Sequence, residues 1–470
     1  MSSRYDAIVI GAGMSGLAAA LRLALHGRRV VVLEKHELWG GLNSFYTLGG
    51  RPFDVGLHAL TNFVRPGTPA SRGAPLTRLL RALRIRHEEL RLAEQTSSEI
   101  VFPGARLAFS NELALLQSEV ERQFPSQRDG FAALVRELSA RAVREDGEVG
   151  PSARALLARH LSEPLLCEML LLPALFYGSA REDDTDEQTF AILFRALYLE
   201  GLCRPEGGIR TLLNLLVKRV KLAGAELRLS SGVARVLVER GAARGVELES
   251  GEVLAAERVF SSAGRVETLA LAGRASPRSD EGRLSFLESI WVLDRPAHAL
   301  GHRAAATFFS LEERCVYRRP EALIDARTGV LSSADNFAGP PRPEGELRVS
   351  VLANHARWRA LAPAAYAAAK ERCADEAAAA AVRVVPDFRA HRVFRDVFTP
   401  ATIERFTGHR GGAVYGSPTK AFDGSSGIDG LVLIGSDQGY LGVIGALLSG
   451  VTMANRHGLA AHAAREALSS

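Results

Sequence analysis

Two stretches of this 470-residue chain, one near each end, share the same succession of apolar and polar positions. The apolar run 5–10 predicts a short buried strand, and the apolar spacing from Met14 to His26 predicts a helix. Residues 430–455 again read as a strand, a glycine-rich turn and a helix. We expect the two units to lie together if both serve one ligand.

The turn GAGMSG at residues 11–16 has the spacing of a loop that binds a dinucleotide pyrophosphate. Gly11 permits the tight turn, Gly13 lets the backbone approach the pyrophosphate, and Gly16 allows close packing of helix on strand. The helix N-terminus then faces the phosphates. Glu34 ends the second strand, where a carboxylate accepts hydrogen bonds from both ribose hydroxyls and repels a ribose 2′-phosphate. The sequence therefore predicts a nucleotide site.

Between these units the predicted secondary structure changes twice along the chain. Residues 76–202 read as mostly helical, residues 204–264 give a helix and short strands, and residues 285–395 alternate strands with an alanine-rich helix at 364–382, expected on the surface. The apolar stretch Pro164–Gly178 fits either a buried helix or a segment that dips into a membrane surface.

Length and composition narrow the class of protein. The chain is long enough for two or three domains, possibly interleaved. Its net charge of +5 comes almost entirely from scattered arginines, which argues against nucleic-acid binding but is compatible with anionic lipid. No motif for hydrolysis or metal catalysis occurs, so no metal is expected.

Cysteine use and hydropathy bear on location. The cysteines at 167, 203, 315 and 373 show no C-x-x-C spacing and are expected as small apolar residues in a reducing cytoplasm. No signal peptide is expected before Tyr5, and no apolar run reaches the eighteen or so residues that a spanning helix needs.

Three further motifs carry a family resemblance. Gly40 and Gly41 form a pair in KHELWGG soon after Glu34, the segment 398–420 reads FTPATIERFTGHRGGAVYGSPTK, and Gly435 and Asp437 mark the C-terminal turn. Together these resemble the flavin amine oxidase superfamily and, within it, the phytoene desaturases, carotenoid isomerases and retinol saturases. The resemblance covers both ends and residues 204–264, about half of the chain.

The resemblance implies an α/β fold in which a glutathione-reductase-type, FAD-binding Rossmann domain is interleaved with a mixed-sheet and helical substrate domain. The FAD-binding domain would comprise residues 1–75, 204–284 and 425–470. The substrate domain would comprise residues 76–203 and 285–424, with a helical part that could face a membrane.

The resemblance also implies non-covalent FAD, because cysteine is missing around residues 435–445. Asp437 would accept a ribityl hydroxyl or act as a plain helix N-cap, and the helix starting near Val443 would direct its dipole at the flavin N1 and O2 edge. The expected FAD contacts are Gly11, Gly13, Ser15, Gly16, Glu34, Lys35, Gly40, Gly41, Leu42, Gly56, Leu57, His58, Val233, Ala263, Gly264, Gly435, Asp437, Gly442 and Val443.

In such a fold the stretch FDVGLHALTNF, residues 53–63, would run beside the flavin. His58, Asn62 and Tyr177 are the candidate catalytic residues. His58 could relay a proton or simply be hydrogen-bonded within a packed loop. Glu200 and Arg204 flank the expected seam between domains and are weaker candidates.

The implied activity is hydride transfer to or from flavin N5 on a long apolar polyene or isoprenoid drawn from a membrane, with quinone or oxygen as electron acceptor. The protein would then be cytoplasmic and peripheral on the inner face of the membrane. Alternatives are a carotenoid isomerase or saturase using reduced FAD, a porphyrinogen or amine oxidase, and a non-catalytic carrier of prenyl lipids. Amine oxidation is disfavoured because no lysine occurs between Lys221 and Lys370.

Overall fold

A computed structural model describes residues 4–56, 58–141, 150–340 and 342–460 of the chain. The strands are β1 Arg4–Ile10, β2 Val30–Leu33, β3 Phe45–Leu48, β4 Arg51–Asp54, β5 Leu92–Glu94, β6 Ser98–Phe102, β7 Ala105–Phe109, β8 Cys203–Pro205, β9 Glu226–Arg228, β10 Val233–Glu239, β11 Ala242–Leu248, β12 Val253–Ser261, β13 Ser285–Leu293, β14 Ala306–Ser310, β15 Ile324–Ser333, β16 Gly345–Ala353, β17 Arg392–Phe398 and β18 Leu431–Leu433. The α-helices are α1 Met14–Ala24, α2 Pro75–Ala82, α3 Leu113–Gln123, α4 Arg128–Ala140, α5 Ala153–His160, α6 Pro164–Gly178, α7 Glu187–Phe194, α8 Ile209–Leu222, α9 Arg265–Leu271, α10 His355–Arg359, α11 Pro363–Ala381, α12 Pro400–Thr407 and α13 Gly442–Met453.

The first sheet has the strand order β10-β11-β12-β1-β2-β9, and β18 also pairs with β12. Strands β1, β2, β9, β12 and β18 run parallel, whereas β10 and β11 form an antiparallel ribbon at one side. The strands come from residues 4–33, 226–261 and 431–433, so the chain returns twice to complete this sheet. It is a Rossmann-type sheet of the kind that the sequence predicted.

Helices α1, α8 and α13 cover one face of this sheet with a core of aliphatic side chains. Helices α1 and α13 approach so closely that a Cβ at Gly450 would lie 2.2 Å from the carbonyl oxygen of Ser15. The two strand–turn–helix units from opposite ends of the chain are therefore packed directly against each other.

The second sheet has the order β17-β13-β16-β15-β14-β6-β7 and is mostly antiparallel. Helix α11 packs on one face of it, and α6 leads the helical group that packs on the other. This sheet and its helices form the mixed-sheet and helical domain, and the predicted α/β fold class is confirmed.

Helix α6 is the apolar stretch for which the sequence allowed two environments. Most of its side chains are buried, and its one acid, Glu168, is paired with Arg154 across 2.6 Å. The stretch is a helix of the protein core. Among the described residues, no helix combines the length and the apolar character required to cross a membrane.

One expectation about the middle of the chain needs correction. Residues 98–109, expected within a mostly helical region, form the β6–β7 hairpin around Pro103 and Gly104, and β6 pairs with the distant β14. Helix α11 lies at the surface as expected: it is exposed along one side, and its other alanines lie buried against the second sheet. Small side chains allow that close approach.

Packing of α1 on α13 gives the first prediction. We expect Gly450→Ala to lower the unfolding free energy by about 1–3 kcal/mol, because the added Cβ meets backbone atoms that cannot move aside. Gly73→Ala is the matched control, since a Cβ there meets nothing within 4 Å. Thermal or denaturant unfolding of both variants checks this, and equal stabilities would contradict it.

Candidate functional site

The glycine turn between β1 and α1 contains two glycines that the protein itself requires. Gly11 has a φ of +93°, and a Cβ there would lie 2.3 Å from Ser262 Oγ. A Cβ at Gly16 would lie 2.0 Å from the carbonyl oxygen of Gly11. Backbone strain and packing therefore explain both of these glycines without any ligand.

At Gly13, neither backbone strain nor close packing requires glycine. Its dihedral angles, φ −75° and ψ −179°, suit any residue, and the nearest atom to an added Cβ is Gly40 O at 3.9 Å. It is the N-cap of α1, which has no side-chain cap and no acid in its first turn. The turn thus leaves room for an anion at the N-terminus of α1, as a dinucleotide pyrophosphate requires.

Glu34 is buried at the end of β2, beside this turn. Its Oε2 accepts a hydrogen bond from Ala12 N at 2.8 Å and its Oε1 accepts one from His36 N at 3.0 Å. Each oxygen keeps a second lone pair for a ribose hydroxyl. The geometry fits the adenosine ribose of a dinucleotide.

Val233 and Ala263, the expected neighbours of the adenine and phosphates, lie in one partly buried apolar group on the first sheet. The chain enters β10 beside the ribose carboxylate, since Ser231 N donates to Glu34 O at 2.8 Å. Lys35 lies apart from them, because its Nζ approaches Gly408 after α12.

The paired glycines lie against the pyrophosphate turn. Gly40 N donates to Ala12 O at 2.9 Å, and a Cβ at Gly41 would lie 3.6 Å from Gly13 Cα. Leu42 follows and contacts the next segment through its carbonyl oxygen, which would be 2.6 Å from a Cβ at Gly56. Leu57 lies outside the described residues.

The C-terminal turn lies against the same helix from the other side. A Cβ at Gly435 would lie 3.0 Å from Ser15 Oγ. Asp437 is buried, and its two oxygens accept hydrogen bonds from the backbone amides of Arg265 and Ser417. Gly264 caps α9 immediately before Arg265, so Asp437 joins three segments; its contact with a ribityl hydroxyl stays a prediction.

Gly442 and Val443 begin α13, next to the segment that contains His58 and Asn62. A Cβ at Gly442 would lie 3.6 Å from Thr61 Oγ1. Gly56 therefore lies near Leu42, by the pyrophosphate turn, and residues 58–62 lie near the N-terminus of α13. A flavin ring attached to that pyrophosphate would lie along this segment.

Both ring nitrogens of His58 have protein partners. Nδ1 lies 2.6 Å from Ser332 Oγ, and Nε2 lies 3.3 Å from Glu288 Oε2. Ser332 and Glu288 belong to β15 and β13 of the second sheet, so the imidazole joins the two domains. A role for His58 in proton relay stays a prediction.

Arg348, fully buried on β16, extends this contact into a network of charges. It binds Glu288 at 3.0 Å, Glu346 at 2.8 Å and the carbonyl oxygen of Asp54 at 2.8 Å. The Asp54 carboxylate accepts a hydrogen bond from Arg204 at 2.6 Å. Burial opposes ionisation of Glu288, but its contacts with His58 and Arg348 outweigh burial and lower its pKa to about 2.

Asn62 and Tyr177 occupy different surroundings. Asn62 has a φ of +65°, which asparagine tolerates, and its Nδ2 donates to Glu200 Oε2 at 2.7 Å. Burial raises the pKa of Glu200.

The Tyr177 hydroxyl is buried and has no hydrogen-bond partner among the described residues. Such a group costs about 1–3 kcal/mol unless a ligand satisfies it.

Five residues of this region were missed in the sequence. They are Glu288, Ser332, Arg348, Lys420 and Gln438. The Lys420 ammonium is buried, donates to Tyr415 O at 2.7 Å and lies 3.7 Å from Asp437, and burial lowers its pKa. Gln438 Oε1 in the C-terminal turn is buried without a partner in the described chain. Gln438 directly follows the predicted flavin contact Asp437, and this position in the sequence could have indicated that Gln438 belongs to the site.

Comparison with known proteins agrees with this geometry. A family model described as flavin containing amine oxidoreductase matches residues 14–456. Prolycopene isomerase 2, chloroplastic, from an Oncidium hybrid cultivar is 25% identical over 516 residues, covering 97% of this chain and 84% of the isomerase. Phytoene desaturase from Cercospora nicotianae is 28% identical over 332 residues, covering 63% of this chain and 52% of the desaturase.

Solved structures show the same fold. An oxidoreductase from Methanosarcina mazei has a TM-score of 0.67 at 18% identity, covering 96% of this chain and 100% of that one. A redesigned putrescine oxidase has a TM-score of 0.64 at 17% identity, covering 98% and 99%. At these identities the likeness concerns the fold alone.

The open space at Gly13 predicts a variant that separates ligand binding from folding. Gly13→Val should melt like the wild type when free of ligand, because the Cβ that it adds lies no closer than 3.9 Å to a protein atom. It should lose the dinucleotide, because those atoms fill the pyrophosphate position. Absorbance of the bound flavin after gel filtration measures this, and full flavin occupancy would contradict it. Gly16→Val should instead fail to fold stably.

The charge network predicts a pH dependence. Glu288 is ionised in the folded protein down to about pH 2 but takes up a proton near 4.5 when unfolded. Its stabilisation is complete above about pH 4.5 and is lost as the pH falls towards 2. We expect Glu288→Gln to cost about 3 kcal/mol at pH 7, with the difference from wild type narrowing below pH 4.5.

Denaturant unfolding between pH 7 and 3.5 measures that difference. Glu344→Gln is the control, because its ion pair with Arg51 is partly exposed to solvent and contributes less than about 1 kcal/mol. A constant difference between wild type and Glu288→Gln across the range would rule out the assigned ionisation.

Proposed function

Because this chain belongs to the flavin containing amine oxidoreductase family, we propose that it is an FAD-dependent enzyme acting on a long apolar polyene. That it is a flavin-dependent oxidoreductase confirms the sequence prediction. What we propose beyond this is that the substrate is a polyene. The supporting observation is that the sequence is similar to prolycopene isomerases over 97% of the chain and to phytoene desaturases over more than half of it.

FAD, bound without a covalent link, is the flavin that the geometry supports. Glu34 offers two oxygens for an adenosine ribose on one side of the open Gly13 turn, and α13 begins on the other side. A dinucleotide spans both positions, whereas a mononucleotide would leave the Glu34 end without a partner. All four cysteines are free and buried, and they lie far along the chain from the C-terminal turn.

An apolar cluster beside the start of α13 supports a hydrocarbon substrate. Aromatic residues of α6 and the second sheet belong to it, among them Phe176, Phe286 and Phe308. Bound FAD would supply a two-electron acceptor at N5. In a desaturation one substrate carbon gives up a hydride, its neighbour gives up a proton and a double bond forms; quinone or oxygen then takes the electrons. Apolar side chains beside the substrate would keep water away from it.

Isomerisation of a polyene with reduced FAD is the second candidate. Prolycopene isomerases align with nearly the whole chain, whereas the phytoene desaturase from Cercospora nicotianae aligns with 63% of it. The same site would then act without net oxidation of the substrate.

A membrane surface is the proposed source of the substrate, with the protein peripheral on the inner, cytoplasmic face. Residues 65–86 contain six arginines, and no acid occurs between Asp54 and Glu88. Arg78 and Arg81 are exposed on the outer side of α2 while its leucines are buried. Such a basic face attracts anionic headgroups.

The test is anaerobic mixing of the purified, oxidised protein with phytoene or lycopene in liposomes, recorded as flavin and polyene absorption together. Desaturation predicts bleaching of the flavin and a longer chromophore. Isomerisation predicts no change until the flavin is reduced, followed by a shifted polyene spectrum at constant reduction. Turnover of a polar amine with peroxide release, and none of a polyene, would refute the proposal.

A further inference from the structure

Four buried tyrosine hydroxyls lie in the apolar cluster between α6, the second sheet and the start of α13. Three of them donate hydrogen bonds to backbone carbonyls in or just after α6. They are Tyr198 to Leu170 O at 3.4 Å, Tyr317 to Ser179 O at 2.9 Å, and Tyr415 to Phe176 O. The hydroxyl of Tyr177 is as deeply buried, yet it has no partner in the part of the chain that the structure describes.

Tyr177 is held close to the expected flavin ring. It precedes Gly178, where a Cβ would lie 2.7 Å from Leu441 Cδ1, and Leu441 is the residue before α13. Its ring packs against that of Phe308, with the two ring centroids 5.8 Å apart. Cys203 is close enough to influence the pKa of Tyr177, and it pairs through its backbone with Leu60 in the segment 58–62. Tyr177 thus lies near both of the segments that would flank the ring.

The unsatisfied hydroxyl indicates what approaches it. A phenol is a donor and a weak acceptor, and burial raises the pKa of Tyr177, so it remains protonated at neutral pH. A hydrocarbon polyene offers no acceptor atom. The isoalloxazine ring offers several along its polar edge.

We propose that the Tyr177 hydroxyl donates a hydrogen bond to an acceptor of the bound isoalloxazine ring. This rests on the proposed function in that the flavin occupies the site beside α13. Tyr177 is then a cofactor-binding residue that adjusts the electron affinity of the flavin. A donor at the polar edge stabilises the electron-rich reduced ring more than the oxidised ring.

The experiment compares Tyr177→Phe with Tyr317→Phe in the full-length protein, with and without flavin. Without flavin, Tyr177→Phe should melt no lower than wild type, because it removes a hydroxyl with no partner, whereas Tyr317→Phe should melt lower, because it removes a made hydrogen bond. With flavin, Tyr177→Phe should lose about tenfold in affinity for reduced relative to oxidised flavin. That loss lowers the two-electron midpoint potential by about 30 mV.

Spectra of the oxidised flavin give an independent readout. We expect Tyr177→Phe to shift the visible bands and Tyr317→Phe to leave them in place. Bound flavin with unchanged bands and potential in Tyr177→Phe, or equal shifts in both variants, would overturn the assignment of Tyr177 and leave the proposed function standing. Wild-type protein that binds no flavin would overturn both.

Discussion

The buried guanidinium of Arg348 is the contact through which the second sheet positions the segment that follows β4. It binds two carboxylates of the second sheet and the carbonyl oxygen of Asp54 at the end of β4. Charges buried in this way are costly to separate, so the arrangement resists movement of β4 relative to the second sheet. Because Asp54 comes shortly before Gly56 and residues 58–62, the position of this segment beside the flavin site depends on the same network.

In the turn at residues 11–16, some glycines are required for packing and another is required for ligand binding. Gly11 and Gly16 are explained by contacts inside the protein, whereas the surroundings of Gly13 leave space that no described side chain fills. A turn selected for packing alone would have allowed a larger residue there. Glycine at position 13 therefore indicates a ligand, whereas glycine at positions 11 and 16 is explained by the packing of the protein itself.

Local patterns were sufficient for the parts of the site that are contiguous in the chain. The β1–turn–α1–Glu34 unit and the C-terminal turn could be read directly, because each needs special residues at short spacing. Glu288, Ser332 and Arg348 could not. Glu288 and Ser332 contact His58 and Arg348 contacts Glu288, and the three residues come from three strands of a sheet whose register depends on non-local pairing. The β6–β7 hairpin was missed for the same reason: its parallel partner β14 follows about two hundred residues later.

The charge pattern around the site bears on the kind of chemistry that it suits. Glu288 is bound by His58 and Arg348 and its pKa is lowered to about 2, which makes it a poor proton acceptor at neutral pH. His58 already has a partner at each nitrogen. Loss of a hydride from a polyene leaves a carbocation that gives up a proton readily, so the proposed desaturation needs an apolar site more than it needs a strong base. The proposed isomerisation suits the same site, and the choice between the two reactions then depends on the oxidation state in which the flavin is supplied.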